Sequence, residues 1–555
     1  MQKYILIVTL LVLVCASSAF AGATVVVVNN DGPGEGFNDP TPAAPVGGNS
    51  GTTLGQQRLI AFKFAADTWG ATLDTNQTIS VQAAFNPLAP NVLGSAGATF
   101  VFSDFGSVGL YPGPEFPVTW YGSALADKRA GAELNPGFAD INAQFSSNFD
   151  FYLGLDNNHG TKNDLVTVLL HELAHGLNFQ NFVNEATGAN LAGQTDIYAR
   201  HTLDTTNGLF WNEMTDAQRA ASAIRFGRVV WEGASVSAGV PQVLSFGSAE
   251  VRVLTPAVLA GSYQFGTAAF GAPISSPGVT ATLVAAQDTG PVTTDGCTPL
   301  TNAAAIAGKI ALIERGACTF QVKARNAQNA GAAAVIIYNN AANVNSAPPG
   351  MAADATAGPV TITTVSVTRA DGLAIVAQPL GGVSAKIASD LSIRAGADTL
   401  GRARLYMPFP VVSGSSGSHY DSAAFRNLLM EPAINPDLTH SVKAPEDLTL
   451  ELLRDVGWFA DADLDGKADD VDCYATSDFR PTVIIDGRDT GIANVRFNTG
   501  CTLADLFVKV GLDAKNHGDF VSGVAHLTDE LKDSGILSNT DKGVIQSRAA
   551  RANIP

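Results

Sequence analysis

An α+β fold interrupted by an inserted α/β module is what this sequence of 555 residues predicts, and three observations carry that expectation. Mixed helix and short-strand patterns fill residues 22–247, and the same character resumes from about residue 393. Between them, 248–392 turn rich in Ala, Gly and Val, with short strands around one helix. A capped and strongly apolar helix near residue 170 closes the first stretch. The chain is too long for one ordinary domain. Hydrophobic residues make up 46%, ample for real cores, while charged residues make up only 15%, against roughly 25% in a typical soluble protein. A formal net charge of −18 makes nucleic acid and anionic membrane surfaces poor partners.

Taken in order, residues 1–21 read as a secretory signal peptide. Lys3 supplies the positive start, Ile5 to Val14 the apolar run, and Ala19-Phe20-Ala21 the small-residue site before Gly22. The run is too short to span a bilayer, and no later stretch is long and apolar enough to be a membrane span. Cys15 offers a lipid-anchored alternative, but Val14 stands where a small residue is needed. The expected location is secreted: extracellular or periplasmic. Residues 24–28 (TVVVV) predict a buried strand, followed by a Gly/Pro/Asn/Asp-rich loop to Gly51. Helical spacing from Leu54 to Leu73 puts Leu59, Ala61, Phe62, Phe64, Ala65 and Trp69 on or near one face. Thr78 to Phe85 alternates as a strand, and loops and short strands continue to Gly154. Asp164 is placed to cap the helix LVTVLLHELAHGL.

That helix carries the chemistry. His171 and His175, at i and i+4, share a face and can hold one metal ion. Neutral imidazoles suit Zn²⁺, and a catalytic zinc needs three protein ligands with one position left for water. Glu172 is placed to act as general base on that water. The bland alternative is a helix whose histidines are satisfied by core hydrogen bonds, with Glu172 paired elsewhere. A third ligand must come from His159, His201, His419, His440, His517 or His526. Asn178 and Asn181 stand where the compact H-E-x-x-H-x-x-G-x-x-H signature has Gly and His, so that version is absent. Asn178 can still supply a left-handed helix exit. His201, with Asp196 nearby, is the runner-up ligand because it follows the helix closely; His159 reads as a loop residue at the substrate-side rim.

HELAHGLNF, then SHYD, then LLMEP together resemble the leishmanolysin-like branch of the metzincin peptidases. In that branch the third histidine lies beyond an insertion and shortly precedes a methionine turn under the metal. The resemblance covers roughly 24–240 and 395–460. It implies a zinc site of His171, His175 and His419, with Glu172 as general base and Met430 as the turn methionine. It also implies a catalytic domain split into 22–247 and 393–460. The family's cysteine-masked latency has no cysteine to use anywhere in 22–296.

Within 248–392, GKIALIERGACTFQVKARNAQNAGAAAVIIYNN resembles the protease-associated (PA) domain. Strands are expected at Lys309 to Ile313 and Ala334 to Tyr338, a helix at Thr319 to Ala330, and a later turn at Asp371-Gly372. Four cysteines follow the leader and permit three pairings; the local pairs Cys297 with Cys318 and Cys473 with Cys501 are favoured. Asp461, Asp463 and Asp465, then Asp469, Asp470 and Asp472, alternate carboxylates around Gly466. That pattern suits Ca²⁺ and lacks the Glu an EF-hand would use; a solvated acidic linker is the alternative. Residues 473–555 form a partly helical tail domain with stretches at Leu503 to Val510, Phe520 to Ser534 and Asp541 to Ala552. The sequence therefore predicts a secreted zinc metalloendopeptidase acting on protein or peptide substrates. Its rivals are an extracellular binding protein on a degenerate peptidase scaffold and a zinc-dependent non-peptide amidase.

Overall fold

The structure, a computed structural model, describes residues 22–554 apart from 109–111, 380, 460, 462–467, 470–471 and 498–499. The expected signal peptide, residues 1–21, lies outside the described residues. The chain divides into two compact units: one runs to Glu115 and then over Gly122–Leu177, the other takes Phe116–Tyr121 and everything from Asn178 on.

The first unit is a four-stranded sheet backed by two helices. Its elements are β1 (Thr24–Asn29), α1 (Leu54–Gly70), β2 (Thr78–Asn86), β3 (Gly94–Ala98), β4 (Ile141–Ser146) and α2 (Leu165–Gly176). The strand order is β1-β2-β4-β3. β1, β2 and β4 run parallel, and β3 is antiparallel to β4 at the outer edge. The Thr53 side chain caps α1 by accepting from the Gln56 amide, and Ala61, Phe62, Ala65 and Trp69 are buried along it. The Trp69 indole donates to the Leu170 carbonyl at 3.2 Å, tying α1 to α2. Asp164 caps α2 as expected, its carboxylate accepting from the Thr167 amide at 3.0 Å.

Every residue of α2 is buried. Each of its leucines contributes about 2 kcal/mol by leaving water, which offsets the cost of carrying two histidines and a glutamate into the interior.

Two expectations fail in this unit. β1 is not a buried strand: it pairs with β2 alone, and Val26 and Val28 are 38% and 47% exposed. An apolar run does not say which strand of a sheet ends up outermost. A helix also forms at Ser123–Ala130, in a region read as loops and short strands. Its Asp127, Lys128 and Arg129 look like surface residues but are buried. Arg129 Nε donates to the Gly113 carbonyl at 2.7 Å, so a charge there is accommodated by the adjoining loop.

In the second unit, a small antiparallel sheet (Thr202–Asp204, Leu209–Phe210, Val229–Trp231) and the helix Ala234–Val243 precede the Ala/Gly/Val-rich module. That module's first strand, Phe246–Thr255, pairs antiparallel with its last, Ser384–Arg394, so the chain enters and leaves at adjacent positions. Inside, Val279–Ala285, Ile310–Glu314, Ala334–Tyr338 and Thr363–Val367 form a parallel run. Leu312, Ile336 and Val365 pack into one core, and Ala311, Ile313, Val335 and Ile337 into another. Alternate side chains thus fill both faces, which is why these strands read as nearly continuous apolar runs.

Thr319 caps the helix Phe320–Asn329. Asp371-Gly372 is not a turn but the first turn of the helix Arg369–Val376, where Thr368 caps through the Asp371 amide. Glycine is needed at 372 because a Cβ there would come within 2.2 Å of Tyr338.

Both favoured disulfides form, Cys297–Cys318 and Cys473–Cys501, with Cα separations of 5.6 and 5.1 Å. In the tail, the hairpin Thr482–Ile485 and Arg488–Ala493 joins three helices, Leu503–Asp513, His517–Asp533 and Asn539–Ala549. They share a core that includes Phe507, Phe520 and Val524. Among the described residues, no helix is long and apolar enough to cross a membrane.

Candidate metal centre

The first unit supplies two imidazoles and a carboxylate from α2. His171 and His175 lie one turn apart with ring centroids 4.9 Å from each other and planes at 81°. Both are buried, as is Glu172 between them. Burial pushes the Glu172 carboxyl up to about 8, opposed by the backbone N–H of Ala96, which donates to it. Ala96 belongs to β3, and the close approach of helix to strand depends on Gly94. A Cβ at 94 would sit 2.8 Å from Glu172 Cγ. These two strand residues were missed in the sequence; their one signal is the small-residue run GSAGA, which reads poorly as a strand until a helix must lie against it.

The second unit begins at the helix exit. Asn178 takes a φ of +83°, the left-handed turn anticipated for it in glycine's place. Asn181 stands where a compact signature would have its third histidine, and it is hydrogen-bonded to a residue far away in sequence. Its backbone N–H donates to Ser418 Oγ at 3.1 Å and its Nδ2 to the same oxygen at 2.9 Å. Gly417 makes this possible: its φ is +77°, and a Cβ would fall 2.8 Å from Asn181 Nδ2.

His419 follows immediately and is 4% exposed. Its Nδ1 lies 2.9 Å from the Ser415 carbonyl oxygen. A carbonyl only accepts, so Nδ1 carries the hydrogen and Nε2 the lone pair that a metal takes. The backbone of 419 is held as well: Tyr406 N–H donates to the His419 carbonyl at 2.9 Å. Tyr420 N–H donates to the carbonyl of Met430 at 2.8 Å, and Met430 is fully buried. The Tyr420 ring meets Phe179 edge-on at 5.1 Å, and its hydroxyl donates to the Leu448 carbonyl at 3.0 Å. Leu429 N–H donates to Asp447 at 2.6 Å and Leu428 N–H to Glu431 at 2.8 Å. SHYD and LLMEP, 237 and more positions beyond the helix exit, are therefore locked to it and to each other.

The other histidines are differently engaged. His201 stacks on Trp231 with centroids 5.0 Å apart at 18°, and its Nδ1 lies 3.0 Å from the Glu232 carbonyl. Its neighbour Asp196 accepts from the Phe182 and Ala199 amides at 2.9 and 2.7 Å, a structural staple. His159 is half-buried, with Nδ1 2.8 Å from the Lys162 carbonyl. His517 and His526 belong to a tail helix. Of the expected calcium loop, Asp463, Asp465 and Asp470 lie outside the described residues, while Asp461, Asp469 and Asp472 are described.

A PA domain family model matches residues 279–375. Aminopeptidase YwaD of Bacillus subtilis (strain 168) is 39% identical over 115 residues, covering 19% of this chain and 24% of that protein. The Homo sapiens ER degradation-enhancing alpha-mannosidase-like protein 3 is 45% identical over 75 residues, 14% of this chain and 8% of that one. The chain thus spans a quarter or less of the length of these relatives. A solved zinc aminopeptidase from Bacillus subtilis aligns at 28% identity over 28% of this chain and 36% of its own, with a TM-score of 0.20. The aminopeptidase from Aneurinibacillus sp. strain AM-1 aligns at 18% identity over 35% and 42%, with a TM-score of 0.18. The chain carries a PA domain, and it shares sequence with proteins named for two different chemistries.

Proposed function

We propose that the chain is a secreted zinc metalloendopeptidase of leishmanolysin-like, metzincin type. In this reading His171, His175 and His419 are the Zn²⁺ ligands and Glu172 is the general base. The observation that carries this reading is the pair of hydrogen bonds from Asn181 to Ser418. They tie the position of the compact signature's third ligand to the residue next to His419. The donor set fits zinc: three neutral imidazoles, with the His419 tautomer set by Ser415. Zinc bound there would supply Lewis acidity and make a water easier to deprotonate.

The remaining work falls to the chain's own residues. Glu172, with Ala96 fixing its carboxylate, takes the proton of the attacking water and returns it to the leaving amine. The apolar surroundings that raise its affinity for a proton suit it to that exchange. β3 is one of the two edge strands of its sheet, so an extended peptide can add alongside it by backbone hydrogen bonds. Small side chains on β3 leave room for such a substrate. Met430, buried and bonded through its carbonyl to Tyr420, serves as the floor beneath the third ligand. The Asp-rich run at 461–472 is a Ca²⁺ site on the strength of its carboxylate pattern alone.

A casein digest with and without chelator, followed by mass spectrometry of the products, tests this. Chelator-sensitive release of internal fragments, restored by Zn²⁺, is expected. Stepwise removal of N-terminal residues would make the chain an aminopeptidase instead. Zinc binding with no hydrolysis would favour a degenerate binding scaffold, and cleavage of small non-peptide amides alone would favour an amidase.

A further inference from the structure

Within the second unit, where the PA-bearing module meets the small antiparallel sheet, lies a cavity of about 330 Å³. That is within the range of small-ligand sites, about 300–1,000 Å³. Phe226, Arg228 and Arg404 line it from one side, and Arg252, Tyr263 and Phe265 from the other. We infer that this cavity binds the free carboxylate of a peptide's C-terminal residue.

The argument rests on its hydrogen-bond inventory. Three carboxylates also border the cavity, and each is already supplied with donors. Glu250 pairs with Lys386 at 2.9 Å, and Asp390 accepts from the amide and hydroxyl of Ser392 at 2.9 and 2.6 Å. Asp398 accepts from Arg402 Nε and Nη2 at 2.9 and 2.7 Å. Arg402 itself is shared between Asp398 and Glu232. Arg228, Arg252 and Arg404 are the opposite case. Among the described residues, none of the three guanidinium groups has a hydrogen bond or a close ion pair, although the charge of Arg404 acts on the buried Asp421 carboxylate and opposes the rise that burial causes there.

For Arg228 and Arg252, which are exposed, solvent can serve. Arg404 is half-buried, and its Nε is shielded from solvent with no hydrogen-bond partner. Such a donor is costly unless something completes it. Four guanidinium groups, those of Arg228, Arg252, Arg402 and Arg404, thus line the cavity against three carboxylates that each already have a donor, a balance that favours an anion over a cation or an amine. A carboxylate matches a guanidinium fork with two parallel bonds.

The rest of the lining defines what the carboxylate is attached to. Phe226 and Phe265 meet edge-on at 6.3 Å, one from each side of the junction. Tyr263 donates its hydroxyl hydrogen to the Leu259 carbonyl, so it turns mainly its ring to the cavity. An apolar side chain beside the carboxylate has these rings to pack against. The ligand is thus a C-terminal residue with an apolar side chain, and the proposal does not depend on the peptidase reading.

Calorimetry on the full-length protein tests it, with N-acetyl-phenylalanine and its amide as probes. The acid should bind and the amide should bind at least about tenfold more weakly, since only the acid offers the charged fork partner. Arg404→Met and Arg252→Met should each weaken the acid by about tenfold. Arg252 is at the exposed rim, so its variant keeps the test decisive if Arg404→Met fails to fold. His171→Ala should leave acid binding intact, which separates this cavity from a zinc-bound carboxylate. Equal binding of acid and amide would overturn the proposal. So would loss of binding in His171→Ala with none in the arginine variants. Displacement by inorganic phosphate at lower concentration than by the acid itself would also overturn it.

Discussion

The helix that bears His171 and His175 and the loop that bears His419 hold their imidazoles by opposite means. In α2, backbone groups are satisfied by neighbours four positions away, a capping Asp164 starts the helix, and burial of the whole element supplies its stability. Between 414 and 431 there is no helix, and the one β-bridge joins Tyr420 to Leu405. The loop's backbone ties are singular and run to different places: 406 to 419, 420 to 430, 421 to 404, 429 to the Asp447 side chain. A helix tolerates the loss of one tie because its many bonds are equivalent. A loop of singular ties does not, so its tolerance to substitution should be lower at positions that touch no metal.

The sharpest contrast is chemical. Glu172→Gln preserves the shape of α2 but cannot accept a proton. Activity should fall on the order of 10³-fold, with zinc content and melting temperature little changed. Retained hydrolysis in a purified, zinc-loaded Glu172→Gln sample would remove the general base from the mechanism. Next comes His419→Ala, which should strip most of the bound zinc, whereas His201→Ala should leave metal content near that of the parent chain. His201 is held by Trp231 and the Glu232 carbonyl, so removing it disturbs packing, not the metal. Metal analysis giving the reverse order would transfer the third-ligand role to His201.

A smaller effect separates helix from loop directly. Gly417→Ala places a methyl against Asn181 Nδ2 and forces an alanine to a φ of +77°. The combined strain and overpacking is about 3 kcal/mol, and zinc affinity should drop although no ligand is touched. Thr167→Ala, buried in α2, should cost less and leave the metal alone. If both variants bind zinc as the parent does, the loop is less dependent on its individual ties than its geometry implies.

How much of this was legible depended on distance along the chain. α2 could be read because its cap, apolar faces and both histidines lie within a dozen residues of one another. The parallel strands at 310–314 and 334–338 could be read because burial on both faces leaves an apolar run. His419 was reachable only through a family resemblance. The bond that positions it, Asn181 to Ser418, joins polar residues 237 positions apart, which no periodicity encodes. The same limit explains β1, whose outer position is a property of the sheet, and the helix Ser123–Ala130, whose buried charges depend on partners elsewhere. Gly94 and Ala96 passed unnoticed because a glycine's need for space appears only when α2 is laid against β3.

The last prediction concerns the carboxylates that the loop buries. Glu431, inside the LLMEP turn, accepts from the Leu428 amide and from Asn435 Nδ2 at 2.9 Å. Both bonds favour its charged form, yet burial outweighs them and pushes its carboxyl up to about 8, with Asp421 and Asp437 adding to the rise. The folded pKa lies above the unfolded one, near the ordinary glutamate value, so folding favours the protonated acid. Its contribution to stability is therefore fully present below about pH 4.5 and is lost as pH rises through about 8. Glu431→Gln keeps an oxygen for the Leu428 amide and removes the titration; a flip of the Asn435 amide can restore the second bond. Relative to the variant, the parent chain's melting temperature should fall by a few degrees between pH 5 and pH 8.5 (about the window set by the two pKa values), and the gap should stop growing above it. Parallel melting curves across that range would mean that Glu431 is already charged in the fold, with its two donors outweighing burial. The turn beneath Met430 would then be held by a carboxylate in the way α2 is capped by Asp164, and helix and loop would differ less than proposed.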